Sequence, residues 1–275
     1  MAGKTLVVAV SDTHINSAVA LAAPSYTRTD GNEIRDNARQ LYLWERWCEL
    51  ARVVTGYRHH GWRTVLLHLG DIAEFDGKGR TYRLMTHDPG EIARLAGQTL
   101  EPMTDAVDAS VWVKGTCPAH GGLDGIGETD IVAQLDHVVP AEDGTLLREY
   151  ACLEIEKVRF DISHHASMGA MPWTYQTAAV NLYHRVLHQC AALRVRVPDI
   201  ILRGHQHRIA EAEIDGTYTA YLPGWTYATE HTNRINPGAV GTIGACLVWC
   251  EAGRYRRQMV QIRLPEGRSL PCQTI

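Results

Sequence analysis

Four short stretches of the 275-residue chain gather acids and imidazoles: Asp12-Thr13-His14, Gly70-Asp71, His164-His165 and Gly204-His205-Gln206-His207. Carboxylate oxygens and imidazole nitrogens are what two divalent ions need when they sit roughly 3.5–4 Å apart, with one bridging ligand and a position left open for water. The mixture of oxygen and nitrogen donors favours transition metals over calcium. His205 and His207 lie two residues apart, so on an extended segment both project to the same side, which argues against a purely structural role. Taken singly, Asp12 has a plain reading as a helix cap or turn acid, and Gly70-Asp71 as a turn. Their company is what points to a two-metal hydrolytic site.

The elements that position these residues are strands. Leu6 to Val10 precedes Asp12, Thr64 to Leu69 precedes Gly70, Val158 to Ile162 precedes His164, and Asp199 to Leu202 precedes Gly204. Short apolar runs bounded by glycine or polar residues read as buried strands, which would place every donor at one edge of a sheet. Glu33 to Tyr57 carries Ile34, Ala38, Leu41, Trp44, Trp47, Cys48 and Ala51 at helical spacing and reads as a long amphipathic helix. Before it, Asn16 to Asn32 reads as an extended loop able to cover the site. Glu91 to Ala109 and Thr174 to Leu193 read as helices, and Val111 to Val113 as the strand feeding Gly115. Thr217 to Leu222, Gly244 to Cys250 and Gln258 to Leu264 read as antiparallel strands.

The order Asp-x-His, Gly-Asp, a Gly-Asn-His-like segment, His and Gly-His-x-His resembles the calcineurin-like metallophosphoesterase superfamily, from about Leu6 to His207. Together with the strand pattern, the resemblance implies an α/β fold of two packed mixed β-sheets flanked by helices. A single domain over residues 1–275 is expected, with residues 16–60 as an inserted loop and helix. The resemblance also implies two divalent metal ions, manganese foremost, with zinc, iron or nickel as alternatives. By position, Asp12, His14 and His207 become ligands of one ion, Asp71 the bridge, and His164 and His205 ligands of the other.

One segment departs from the family pattern. Where Gly-Asn-His and an acid are usual, the chain reads Val113-Lys114-Gly115-Thr116-Cys117-Pro118-Ala119-His120-Gly121-Gly122-Leu123-Asp124. Either Thr116 replaces the asparagine with a hydroxyl ligand and His120 protonates the leaving oxygen, or His120 is itself a ligand. The acid role is preferred, because an imidazole near its ordinary pKa of about 6.5 donates a proton at neutral pH. Asp124 or Glu128 would orient His120, and Glu74, Asp76 and His165 are candidates for orienting the metal ligands. His165 itself reads as a core imidazole beside the ligand His164. The Gly-Thr-x-x-x-His arrangement is similar to variants in bacteriophage and prophage members.

The expected activity is metal-dependent phosphoester hydrolysis by a metal-bound hydroxide, foremost as a phosphodiesterase or nuclease. A phosphomonoesterase acting on protein or nucleotide is one alternative, and a noncatalytic metal-binding scaffold of the same fold is another. The expected partner is a phosphate ester, with nucleotides and nucleic acid among the candidates. A formal charge of −4 argues against a surface that holds nucleic acid throughout, but not against a local basic groove. Lys78, Arg80 and Arg83 follow the Gly-Asp stretch, and Arg203 and Arg208 flank the last one. Aromatic residues in the segments 167–175 and 223–227, Trp225 and Tyr227 among them, would either stack a base or fill the core.

Composition, at 45% hydrophobic and 21% charged, suits a globular enzyme with a sizeable core. Seven scattered cysteines without Cys-x-x-Cys spacing read as free thiols in a reducing compartment, with Cys246 and Cys250 as packing residues and Cys117 beside the presumed site loop. His59, His60, His68, His87, His137, His184, His188 and His231 read as surface or packing residues. No apolar run approaches a bilayer span, and the N-terminus enters a strand almost at once, so membrane insertion and secretion are disfavoured. A cytoplasmic location is expected, host cytoplasm if the chain is phage-encoded.

Overall fold

A computed structural model describes residues 3–34, 36–75, 84–117, 120–122, 125–165, 174–227 and 242–265. Strand β1 (Lys4–Val10) leads through the short pair β2 (Tyr26–Thr27) and β3 (Glu33–Ile34) into helix α1 (Ala38–His59) and strand β4 (Arg63–His68). Helix α2 (Pro89–Thr104), strand β5 (Ala109–Val113), helix α3 (Ile126–Val132) and strand β6 (Leu147–Arg148) follow. The second half runs β7 (Tyr150–Ile155), β8 (Val158–Ser163), α4 (Tyr175–Leu193), β9 (Ile200–Arg203), β10 (Ala210–Ile214), β11 (Thr217–Tyr221), β12 (Thr242–Glu251) and β13 (Arg254–Arg263).

The strands form two mixed sheets. One has the order β13-β12-β1-β4-β5-β6, with β1, β4, β5 and β6 parallel and β12 and β13 antiparallel to their neighbours. The other has the order β10-β11-β9-β8-β7, with β8, β9 and β11 parallel. Strand β1 shows why the sheets stack: Val7 and Ala9 point into the space between them, while Leu6, Val8 and Val10 point to the helices. A strand apolar on both faces must be covered on both. Strand β12 divides in the same way, placing Cys246 and Cys250 between the sheets and Ile243, Ala245, Leu247 and Trp249 under the helices. Both cysteines are therefore packing residues, as their sequence setting indicates.

Helices α1, α2 and α3 cover the six-stranded sheet, and α4 covers the other through Ala179, Leu182, Tyr183 and Val186 against Ile201 and Tyr221. The layers run helix, sheet, sheet, helix. Helix α1 starts at Ala38 and not Glu33, because Asn37 and Gln40 form a capping box there while Glu33 and Ile34 pair with Thr27 and Tyr26. Helix α2 starts at Pro89 behind the Asp88 cap and stops at Thr104, two residues after Pro102, short of the expected Ala109. Residues 16–32 are tied into the helix layer: Leu21 and Tyr26 are core residues, and Glu91 accepts from the Tyr26 hydroxyl and from Thr29. Among the described residues no helix is long and apolar enough to cross a membrane.

Candidate metal centre

The carboxyl ends of β1, β4 and β5 in one sheet and of β8 and β9 in the other converge. The turn after β1 carries Asp12 and His14, that after β4 carries Asp71 and Glu74, that after β5 carries Thr116 and His120, and those after β8 and β9 carry His164, His165, His205 and His207. Asp12, His14, Asp71, His205 and His207 all have φ between 44° and 71°, the left-handed region that side-chain-bearing residues rarely adopt. Such strain persists only where surroundings over-determine it. Here Asp12 N–H donates to Gly70 O at 3.0 Å, His14 N–H to Asp71 O at 3.0 Å, and Trp225 N–H to Asp12 O at 2.8 Å. The turns also close on each other at Gly115, where a Cβ would lie 2.2 Å from Asp71 N and Oδ1.

Two donor sets result. In the first, His207 Nε2 lies 3.1 Å from Asp12 Oδ1 and 2.9 Å from His14 Nε2. In the second, His164 Nε2 lies 3.1 Å from Asp71 Oδ2, and the Thr116 hydroxyl lies 3.3 Å from each of Asp71 Oδ2, His164 Nε2 and His205 Nδ1. Asp71 stands between them, its Oδ2 also 3.9 Å from His14 Nε2. His164 Nδ1 lies 2.6 Å from Leu69 O and donates to it, which turns Nε2 inward. All seven residues singled out as ligands from the sequence, Asp12, His14, Asp71, Thr116, His164, His205 and His207, are brought to one place.

The neighbours of these residues differ in part from the sequence reading. His120 Nδ1 pairs with Glu74 Oε2 at 2.7 Å, and the other Glu74 oxygen lies 3.0 Å from His14 Nδ1. Glu128 does not orient His120: its two oxygens accept from Ile72 N–H and Gly115 N–H, each at 2.8 Å, tying the β4 turn to the β5 turn. Asp124 and Asp76 lie outside the described residues, as do Lys78, Arg80, Arg83 and the segment 166–173. His165 is exposed, not a core imidazole, and its ring centroid is 4.7 Å from those of both His164 and His205. Arg203 is buried and donates to Asp161 Oδ1 at 2.6 Å, so it is not a phosphate contact, while Arg208 stacks over Tyr175 at 4.8 Å. Trp225 and Tyr227 are core residues of the helix layer, which removes them as base-stacking platforms. Burial raises the Cys117 thiol, and His68 stacks on Trp112 with its pKa pressed down by burial to about 3.

The electrostatics fit a cation site. Burial opposes ionisation of Asp12 and Asp71, yet the charges of His207 and His164 and hydrogen bonds from the imidazoles hold both carboxyls well below the usual range. Glu74, despite burial, is held at about 2 by hydrogen bonds from His120 and His14. Burial lowers His164, but the Asp71 charge overrides it and lifts it to about 9; burial also opposes the charge on His14, yet the carboxylates of Asp12 and Glu74 beside it raise it. Burial and the His164 charge press His205 down to about 4 and lower His165 as well. The positive charges set against these carboxylates are thus protons on imidazoles. Divalent ions would replace those protons, and the donor chemistry of one bridging carboxylate, a second carboxylate and imidazoles fits transition metals.

Sequence reasoning missed the Glu128 clamp and the carbonyl of Leu69. Glu74 was visible as an acid three residues after Asp71, but not that it reaches two imidazoles at once. No protein-family model and no curated protein matches the chain. Among solved structures it is similar to an archaeal phosphodiesterase at 11% identity, covering 93% of this chain and 99% of that one with a TM-score of 0.43. It is similar to vacuolar protein sorting 29 from Cryptosporidium parvum at 14% identity, covering 95% and 100% with a TM-score of 0.41. Wild-type Vps29 complexed with zinc, from Entamoeba histolytica, matches at 14% identity, 93% and 98% coverage and a TM-score of 0.36.

Proposed function

We propose that this chain, a two-sheet sandwich of the metallophosphoesterase kind, is a metal-dependent phosphoester hydrolase acting foremost on phosphodiesters. The observation that carries the proposal is the placement of Asp71 between two donor sets, with its Oδ2 3.1 Å from His164 Nε2 and 3.9 Å from His14 Nε2. Asp12, His14 and His207 would hold one divalent ion, His164, His205 and Thr116 the other, and Asp71 would bridge. Bound there, such a pair supplies an activated water and a clamp on the phosphoryl oxygens.

The chain's own residues supply the rest. His120 gives its Nδ1 to Glu74, which fixes the ring and leaves Nε2 to protonate the departing oxygen of the ester. Its side chain is 27% exposed, so a substrate can reach it. Glu74 also holds His14, linking the proton donor to the first donor set. Glu128 sets the spacing between Asp71 and Thr116 by gripping the backbone after one and before the other.

Hydrolysis of an aryl phosphodiester beside the matching monoester, with manganese, nickel, zinc or chelator, tests the proposal in wild type, Asp71→Asn and His120→Asn. Turnover should depend on metal and vanish in Asp71→Asn, and the diester should be preferred. Loss of His120 should cost on the order of 10²–10⁴ in kcat for an alkyl ester, whose leaving oxygen needs the proton, and less for a nitrophenyl ester. Turnover that survives chelation, or that Asp71→Asn leaves intact, contradicts the reading; a faster monoester reassigns the substrate class.

A further inference from the structure

We propose that His165 is a ligand of the second ion, so that three imidazoles, His164, His165 and His205, surround that position together with Asp71. The inference rests on the metal-centre reading above and adds a donor to it.

Neighbouring residues on a strand point to opposite faces, so His164 and His165 would ordinarily diverge. Here β8 ends at Ser163, and the His164 and His165 rings meet edge to face with centroids 4.7 Å apart. The His165 ring lies equally close, 4.7 Å, to that of His205, whose own centroid is 5.1 Å from that of His164. One nitrogen from each of the three rings falls within 4.8 Å of the other two. Two turns from different strands thus gather three imidazole nitrogens into a cluster small enough for side-chain rotation to close it on one ion.

The donor count gives a reason. Without His165, the second position has the shared carboxylate of Asp71, two imidazoles and the neutral hydroxyl of Thr116, which lies 3.3 Å from His164 Nε2 and His205 Nδ1. An alcohol is a weak donor for a transition ion, whereas imidazole suits zinc, iron and nickel. The exposed position of His165 lets its ring close on an ion without disturbing the core.

Cobalt(II) serves as the probe, since its visible absorption reports ligand number and type independently of activity. Wild type, His165→Ala and Thr116→Val are titrated with cobalt, following stoichiometry by calorimetry and the absorption band by spectroscopy. Wild type should bind two ions. His165→Ala should weaken the second by more than about 100-fold, beyond what loss of an outer-shell partner costs, and shift its absorption band, while Thr116→Val should weaken it less. If His165→Ala binds the second ion within about 100-fold of wild type, with an unchanged band, the assignment of His165 is overturned and the two-metal reading stands. If folded wild type binds fewer than two ions, the underlying two-metal reading fails, and the assignment of His165 falls with it.

Discussion

Replacing Glu128 with glutamine separates what its carboxyl does as an acceptor from what its charge costs. Both oxygens are in use, one on Ile72 N–H and one on Gly115 N–H. Glutamine keeps one acceptor and turns an amide N–H₂ toward the other backbone donor, orphaning it at about 1–3 kcal/mol. Against this stands the charge. Burial, helped by the nearby Asp71 carboxylate, raises Glu128 from 4.5 to about 7. Because the folded value lies above the unfolded one, the associated stability is fully present below about pH 4.5 and is lost as pH rises through about 7. At about 1.4 kcal/mol per pKa unit, roughly 2–3 kcal/mol of wild-type stability disappears between about pH 5 and pH 8, and the glutamine variant is spared that loss. Urea denaturation of the metal-free proteins reads the difference. Relative to wild type, Glu128→Gln should gain about 2–3 kcal/mol between those two pH values, moving from less stable to at least as stable. A stability difference that is the same at both pH values would refute the assignment of a buried, high-pKa carboxyl to this clamp.

Three further outcomes follow from the same geometry. Gly115→Ala would place a Cβ 2.2 Å from Asp71 N and Oδ1, so calorimetry should show metal affinity reduced by at least about tenfold while the far-ultraviolet circular dichroism stays that of wild type. His164, lifted to about 9 by Asp71, must lose its proton to bind an ion, so apparent affinity should rise about tenfold per pH unit up to about 9 and binding should release protons, measurable by calorimetry in buffers of different ionisation enthalpy. Trp47, fully buried and edge-to-face with Trp225 at 4.9 Å, should cost about 3–5 kcal/mol in chemical denaturation when changed to alanine.

The strands that end in donors were legible because each is a short apolar run stopped by a glycine or a polar residue, and β1, β4, β8 and β9 lie where those runs lie. The acids and imidazoles of the proposed site stood out for the same reason, since they recur directly after those strands. What escaped reading depends on partners distant in sequence. Arg203, one of several cations flanking the motifs in sequence, is neither a groove residue nor a solvated charge, because Asp161, 42 residues away, takes its guanidinium into the interior. Glu128 sits on α3, a helix of seven residues with an exposed Ile126 and a glycine at its cap, too short to show a periodicity. The start of α1 turned on Asn37 and Gln40, a capping pair that outweighs the helical spacing of Ile34 before it. For Trp225 and Tyr227 the sequence left base stacking and core packing both open, and the helix layer that folds over them decides for the core.

The central claim is that Asp71 bridges two ions, and anomalous X-ray scattering from crystals grown with manganese or zinc tests it most directly. Two anomalous peaks are expected roughly 3.5–4 Å apart on either side of the Asp71 carboxylate, one against Asp12, His14 and His207 and the other against His164 and His205. A single peak, or peaks that leave Asp71 uncoordinated, would contradict it.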